Sequence, residues 1–155
     1  MNREIKFRAW DEEEKKMHYS DSKLDYGMWF SLDRGKVECL RNCAYADSFG
    51  DEHDDWQPLD NIMECTGLTA YWDTTENELQ EREVWEHDLL EVEYNGKKVI
   101  AEVKFECGMY ILASNEFVDS YIPLFDVVQI EDVGWLDAKV LGNIFENPEL
   151  LELVS

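Results

Sequence analysis

The chain has 155 residues, of which 36 are acidic and 14 basic, giving a formal charge of −22 at pH 7. This charge disfavours direct binding to DNA, RNA or anionic membranes, because such binding depends on Lys and Arg neutralising phosphates. A hydrophobic content of 45%, with 13% aromatic residues, indicates a folded protein with a hydrophobic core rather than an acidic disordered chain.

The length suits one domain. A division of this domain into two lobes, an N-terminal β lobe at 1–66 and a C-terminal barrel at 85–155, is an open alternative. No apolar run approaches the roughly 20 residues that a membrane span needs, and the first ten residues lack the apolar segment of a signal peptide. We therefore expect a cytoplasmic protein with free thiols at its cysteines, which are Cys39, Cys43, Cys65 and Cys107.

Alternating apolar and polar side chains predict strands at 4–10, 15–19, 26–32 and 36–40. The stretch 46–60 has six acidic residues and no Lys or Arg, which predicts a solvated loop. A short strand is predicted at 61–65, ended by Thr66-Gly67. Residues 73–86 are again acidic and have too few apolar side chains for an amphipathic helix, so that only a helical turn is left open there.

The clearest predicted element is a meander of three antiparallel strands between Trp85 and Ser114. Apolar residues alternate with polar ones at 90–94 and 99–105, and the Asn95-Gly96 step between them suits a two-residue type I′ hairpin turn. Gly108 precedes a third strand at 109–112. The meander is SH3-like and predicts a small antiparallel β-barrel or sandwich.

Two further strands are predicted at 124–130 and 139–145, the second with Gly142 as a bulge or a site of close backbone approach. Asn147 suits the N-cap of a short terminal helix at 148–153, with Pro148 at its first position. We expect the leucines of this helix to pack against the barrel. The predicted fold class is mainly β with a short C-terminal helix.

Three stretches together resemble the YopX family of bacteriophages and prophages. They are REIKFRAWD at 3–11, CTGL at 65–68 with WEHDLL at 85–90, and GNIFENPELL at 142–151. The resemblance implies a mainly β fold, a phage or prophage origin and a role in the bacterial cytoplasm. It supplies no catalytic residue, because the family is of uncharacterised function. Family members usually carry Gly where His87 stands, which predicts a different backbone there.

A metal site receives little support from the cysteines and the acidic loop. Cys39 and Cys43 with His53 and Cys65 form a weak zinc motif, because the spacing is not C-x2-C and core packing explains Cys39. The loop 51–55 lacks the ligand order of a calcium-binding loop. We therefore predict no metal and no cofactor.

An enzyme is also disfavoured by the sequence. The histidines His18, His53 and His87 are scattered, and none lies in a nucleophile motif. The alternative of a metal-dependent hydrolytic enzyme would use the carboxylates at 51–55. A structural or assembly component of a phage complex, forming a homo-oligomer, is a third hypothesis.

The leading hypothesis is an accessory protein that binds a basic protein partner through acidic loops, with DNA mimicry as its sharpest form. Trp56 and Trp72 lie in or beside these loops, where no core face is predicted, and an exposed Trp among carboxylates suits a recognition anchor. A surface acidic for solubility alone is the alternative. The candidate interaction residues are Asp51, Glu52, Asp54, Asp55, Trp56, Trp72, Glu83 and Glu86.

Overall fold

A computed structural model describes residues 5–21, 28–34, 36–73, 79–124 and 138–154. The chain divides into two compact units, Met1–Glu64 and Cys65–Ser155. Within the described residues the regular structure is almost entirely β-strand, with one short 3-10 helix near the C-terminus.

The N-terminal unit is built from short antiparallel strands. Their bounds are β1 Phe7–Asp11, β2 Lys16–Tyr19, β3 Met28–Asp33, β4 Lys36–Asn42, β5 Tyr45–Ala46, β6 Glu52–His53, β7 Trp56–Pro58 and the start of β8, Asn61–Asp73. β1 pairs with β2 and with the first residues of β8, β4 lies between β3 and β7, and β5 pairs with β6. The four strands predicted before residue 43 are confirmed in their described parts, while residues 4, 26 and 27 lie outside the described residues. The predicted continuous loop at 46–60 is wrong, because it contains β6, β7 and the end of β5.

The C-terminal unit is a single sheet that begins with the rest of β8. Its further elements are β9 Leu79–Trp85, β10 Asp88–Tyr94, β11 Lys97–Glu106, β12 Met109–Ala113, β13 Tyr121–Pro123, β14 Lys139–Asn143 and a 3-10 helix, Pro148–Leu153. The strand order is β13-β12-β11-β10-β14-β8-β9. All pairs are antiparallel except β14 with β8, which meet in parallel at Lys139 and Tyr71.

The predicted meander is confirmed as β10, β11 and β12. Tyr94 pairs with Lys97, which leaves Asn95 and Gly96 as the two turn residues. Their φ angles of 50° and 75° are the positive values that a type I′ turn requires. The inward side chains of this meander form half of the buried core of the unit: Leu90, Val92, Val99, Ala101, Val103 and Leu112. Residues outside the meander complete this core: Ala70, Val84, Phe117, Leu124, Ala138 and Val140.

Two expectations around this meander are wrong. β8 does not end at Thr66-Gly67 but continues to Asp73, because a register shift between Cys65 and Thr69 absorbs the interruption. In the acidic segment that follows, 79–85 is the strand β9, which the sequence does not predict, and 74–78 lies outside the described residues. β9 pairs with β8 through backbone hydrogen bonds. These bonds do not involve the acidic side chains, so the pairing sets the conformation of this segment despite its charge. Of the strand predicted at 124–130, all but Leu124 lies outside the described residues.

The C-terminal segment forms a tight turn around the buried Asn143. The Asn143 carboxamide oxygen accepts hydrogen bonds from the backbone N–H groups of Phe145 (3.0 Å) and Glu146 (2.9 Å). Asn147 has no side-chain capping bond to the 3-10 helix; its side-chain oxygen instead accepts the Asn143 N–H at 3.3 Å. The predicted capping role of Asn147 is therefore wrong, although the helix begins at Pro148 as predicted.

The terminal helix does not bury its leucines as expected. None of its residues is buried, and Leu153 is 58% exposed. A polar contact near its end involves the Ser114 hydroxyl, which donates to the Val154 carbonyl at 3.1 Å. The helix therefore adds little apolar burial to the core.

His87 adopts the backbone conformation that glycine favours. Its φ is 66°, in the left-handed region, within the two-residue turn between β9 and β10. The expectation that His87 changes the backbone is therefore not met. The imidazole Nδ1 lies 2.7 Å from Glu102 Oε1, and the ring packs edge-on against Phe145. These contacts offset the strain of a non-glycine residue at this position.

The fold class is mainly β, with antiparallel sheets that include a half-barrel and a short C-terminal helix, as predicted. Among the described residues, no helix is long and apolar enough to cross a bilayer.

The Asn95 turn gives a first testable prediction. Asn95→Ala should lower the free energy of unfolding by about 1 kcal/mol, because Ala tolerates a left-handed φ less well than Asn. Urea unfolding followed by Trp fluorescence measures this. Lys98→Ala, which removes an exposed ion pair with Glu91 in the same hairpin, is the control and should cost less than about 0.5 kcal/mol. Equal losses in both variants would contradict the role of the turn.

Candidate functional site

The sheet of β3, β4 and β7 has one buried and one exposed face. Directly opposed residues and residues two apart in a strand share a face. Trp29 lies opposite Leu40 and Leu40 opposite Pro58, so these residues and Trp56 lie on one side. On the other side, Cys39 and Arg41 of β4 are buried.

Two tryptophans stand on the exposed face. Trp29 is 59% exposed and Trp56 is 41% exposed. Their ring centroids are 6.4 Å apart and their planes meet at 84°, so that the edge of one ring contacts the face of the other. In such a pair, the ring that presents its edge has neither face covered by its partner. We call Trp29, Leu40, Asn42, Trp56 and Pro58 the tryptophan face.

Carboxylates flank this face and are held by amide side chains. The Asn42 amide donates to Asp54 Oδ1 at 3.0 Å, and the Gln57 amide donates to Asp55 Oδ2 at 3.0 Å. The Cys43 N–H donates to the Asp55 carbonyl at 2.6 Å, which ties the backbone before Trp56 to β4. The acidic residues beside Trp56 therefore have defined positions.

The β5–β6 hairpin presents a phenylalanine at its tip. Asp47 Oδ1 accepts the N–H groups of Phe49 (2.9 Å) and Asp51 (3.0 Å), and Asp47 Oδ2 lies 2.8 Å from His53 Nε2. The hydrogen bond to His53, followed by those from the backbone, holds the pKa of Asp47 below its ordinary value. The His53 ring stacks on Tyr45. The turn is thus closed by side-chain bonds while Phe49 is 90% exposed.

The structure places the predicted interaction residues in both units. Asp51, Glu52, Asp54, Asp55 and Trp56 are exposed residues of the N-terminal unit. Asp54 is bonded to Asn42, the residue opposite Trp56.

The other predicted residues belong to the C-terminal unit, where Glu83 and Glu86 are half-buried in and after β9. For Trp72 the structure describes only the backbone, and its side chain lies outside the described residues.

Sequence reasoning missed Trp29 and Phe49. Trp29 falls in a predicted strand, where alternation leaves open which side faces solvent. The turn chemistry of Asp47 to Gly50 was the available signal for a hairpin with Phe49 at its tip.

One cluster of potential metal ligands occurs in the described part of the chain. Asp11, Glu14 and His18 each place a ligand atom within 4.8 Å of the others. The His18 Nε2 atom lies 3.7 Å from Asp11 Oδ2 and 3.8 Å from Glu14 Oε2. However, Arg41 Nη1 lies 2.6 Å from the same Asp11 oxygen, and Asp11 Oδ1 accepts backbone N–H groups from Glu13 and Glu14. Because a cation would compete with a guanidinium, the cluster suits an ion pair better than a metal centre.

The C-terminal unit has a groove of about 450 Å³, with walls that include Glu102, Lys104, Glu106, Tyr121 and Leu151. Glu102 is engaged by His87, and its other carboxylate oxygen is 3.8 Å from Lys104. The walls carry charges of both signs that already interact with one another. This arrangement does not favour one class of ligand.

Comparisons with known proteins address the whole chain. A family model described as "YopX protein" matches residues 6–152. The crystal structure of protein yopX from Bacillus subtilis is similar, with a TM-score of 0.51 and 17% sequence identity over 94% of this chain and 96% of that chain. At this identity the structural likeness shows the fold alone. None of the curated proteins matches. Because the family model spans nearly the full length of the sequence, the chain belongs to the YopX family.

Proposed function

We propose that this chain is a phage or prophage accessory protein that acts in the bacterial cytoplasm as a protein-binding module. The tryptophan face of the N-terminal unit docks a basic segment of a partner protein. The observation that carries the proposal is the exposed, perpendicular Trp29–Trp56 pair beside carboxylates.

Exposed tryptophans at this density are costly in a protein without a partner. Burying apolar surface contributes about 25 cal/mol per Å², and Trp is enriched among the residues that dominate binding energy at protein interfaces. Leu40 and Pro58 extend the apolar surface around Trp29 and Trp56, and the carboxylate of Asp54, held by Asn42, supplies a polar rim. An apolar centre with a polar rim is the usual anatomy of a protein interface.

The charge of the chain favours a basic partner. A net charge of −22 attracts and steers cationic proteins and repels nucleic acid. DNA mimicry is the sharpest form of this function, and it requires carboxylates at roughly the phosphate spacing of duplex DNA, about one charge per 1.7 Å of axis. Binding of this kind weakens steeply with salt, because the screening length is about 8 Å at physiological ionic strength.

The proposal is tested by affinity capture from host lysate at low and at physiological salt. Trp29→Ala and Trp56→Ala should each lower the recovery of a Lys- and Arg-rich partner at least tenfold, since interface tryptophans contribute about 2 kcal/mol or more. Phe105→Ala is the matched control, because Phe105 is 52% exposed and also packs on an aromatic ring, that of Tyr110. Recovery by the control should equal that of the wild type.

Two results would refute the function. One is the absence of any basic partner at low salt. The other is equal recovery by the wild type and by both tryptophan variants, with all proteins shown to be folded by circular dichroism.

A further inference from the structure

The tryptophan face places one carboxylate beside its aromatic rings. Asn42 lies directly opposite Trp56 in the β4–β7 pairing, so both side chains are on the exposed face. The Asn42 amide donates to Asp54 Oδ1 at 3.0 Å and so holds this carboxylate on the same side. By contrast, Asp55 neighbours Trp56 along the chain and is bonded to Gln57, whose side chain leaves the opposite side of β7.

Within the described residues, the segments beside Asp54 supply no cation for its carboxylate. Residues 46–60 contain no Lys or Arg. Arg41 of β4 lies on the buried face of the sheet, where it is bonded to Asp11. The other basic residues of the β3–β4 hairpin, Arg34 and Lys36, are at its turn. They lie four or more residues from the Trp29–Leu40 pair, roughly 13 Å at the rise of a β-strand.

A guanidinium group fits this arrangement better than an ammonium group. It is planar, less strongly hydrated, stacks on tryptophan faces, and donates two parallel N–H bonds to a carboxylate. The perpendicular geometry leaves the faces of one tryptophan ring uncovered by the other ring. Asn42, opposite Trp56, holds an acceptor oxygen of Asp54 on the same side of the sheet. An ammonium group offers only a compact point charge at the same place.

We propose that the tryptophan face binds an arginine side chain of the basic partner, with the guanidinium stacked on the Trp29–Trp56 pair and donating to the Asp54 carboxylate. This inference rests on the proposed function and names the residue that the face recognises. It assigns Asp54 a specific role that Asp55, one residue away, does not share.

The test uses the full-length protein and three dye-labelled nine-residue peptides of the same Gly-Ser framework. They carry three arginines, three lysines or three citrullines, and their binding is measured by fluorescence anisotropy at 50 and 300 mM salt. The arginine peptide should bind about two- to fivefold tighter than the lysine peptide, which is the size of an exposed cation–π contact. The citrulline peptide should not bind.

Matched variants locate the contact. Asp54→Asn should weaken arginine-peptide binding several-fold more than Asp55→Asn, although each removes one negative charge. Trp56→Ala should abolish the preference for arginine over lysine, and Phe105→Ala should preserve it. Equal loss in the two Asn variants, or equal affinity of wild-type protein for arginine and lysine peptides, would overturn the inference.

These outcomes separate the inference from the function on which it rests. If both cationic peptides bind equally and Trp29→Ala or Trp56→Ala weakens both, the tryptophan face is a docking site without an arginine preference. If neither tryptophan variant changes the binding of any peptide, or if no peptide binds at 50 mM salt, both proposals fail.

Discussion

Replacing Arg41 by Met should lower the free energy of unfolding by about 3 kcal/mol or more, the range expected when one partner of a buried ion pair is removed. Arg41 lies on the buried face of the β3–β4–β7 sheet, and its Nη1 is 2.6 Å from Asp11 Oδ2. Asp11 is 1% exposed, so the substitution leaves its carboxylate buried without this cation. Met preserves most of the apolar stem of Arg41, so the loss of stability arises mainly from the missing guanidinium charge.

The same pair predicts how stability depends on pH. Burial opposes the charged form of Asp11, but the hydrogen bonds from the Glu14 N–H and from Arg41 outweigh it and lower the pKa of Asp11 below its ordinary value. A carboxyl whose pKa is lowered in the folded state contributes stability above its unfolded pKa, about 4, and loses it as the pH falls through the folded value.

In Arg41→Met the Asp11 carboxylate is still buried but has lost its cation, so protonation of Asp11 should stabilise the folded variant. The difference in unfolding free energy between the wild type and the variant should therefore be largest at pH 7 and shrink towards pH 3. Urea unfolding of both proteins across this range measures it.

Glu13→Gln is the control for this experiment. Glu13 also bonds Arg41, at 2.5 Å, but its side chain is 76% exposed, so its ion pair should contribute less than about 1 kcal/mol. If Glu13→Gln and Arg41→Met lose the same stability, or if the loss is independent of pH, the buried pair with Asp11 is not what stabilises this unit.

This ion pair also bears on the candidate site. Arg41 points to the buried side of β4, while its neighbours Leu40 and Asn42 point to the tryptophan face. The Asp11–Arg41 bond therefore anchors the strand that carries Leu40 and the amide that positions Asp54. The order of the tryptophan face therefore depends on a contact on the buried side of the same sheet.

The sequence predicts local features of this fold well and long-range ones poorly. The β10–β12 meander follows from neighbouring residues, because strand alternation and the Asn95-Gly96 turn act within a few positions of the chain. Nothing local indicates that Arg41 reaches Asp11, 30 residues earlier. The strand β9 was missed for a different reason: it pairs with β8, the strand directly before it, and this pairing overrides an acidic composition.

The difference between local and long-range features also explains which parts of the candidate site the sequence predicts. Trp56 was predicted from its acidic surroundings alone, which is local information. Its partner Trp29 comes from a strand 27 positions earlier and meets it only because β4 lies between β3 and β7. Alternation gives the two sides of β3 but does not say which one the rest of the unit covers.

Gly142→Ala should lower the free energy of unfolding by about 2 kcal/mol, within the 1–3 kcal/mol that overpacking a tight site costs. A Cβ atom at Gly142 would lie 2.0 Å from Asn147 Oδ1 and 2.6 Å from Asn147 Cγ. Asn147 has little room to move, because its side-chain oxygen accepts the N–H of the fully buried Asn143. The predicted close approach at Gly142 is therefore real, and its partner is a side chain of the terminal turn.

The identity of that partner makes the prediction testable by rescue. Asn147→Ala alone should cost about 1 kcal/mol, the value of one hydrogen bond to a buried group. Because it also removes the atoms closest to the new Cβ, the double variant Gly142→Ala/Asn147→Ala should lose clearly less stability than the two single losses added together. Additive losses would mean that the cost of Gly142→Ala arises elsewhere, in the bulged pairing of β14 with β10. A coupling of at least about 1 kcal/mol would show that Gly142 stabilises the fold by leaving the space that the Asn143–Asn147 turn occupies.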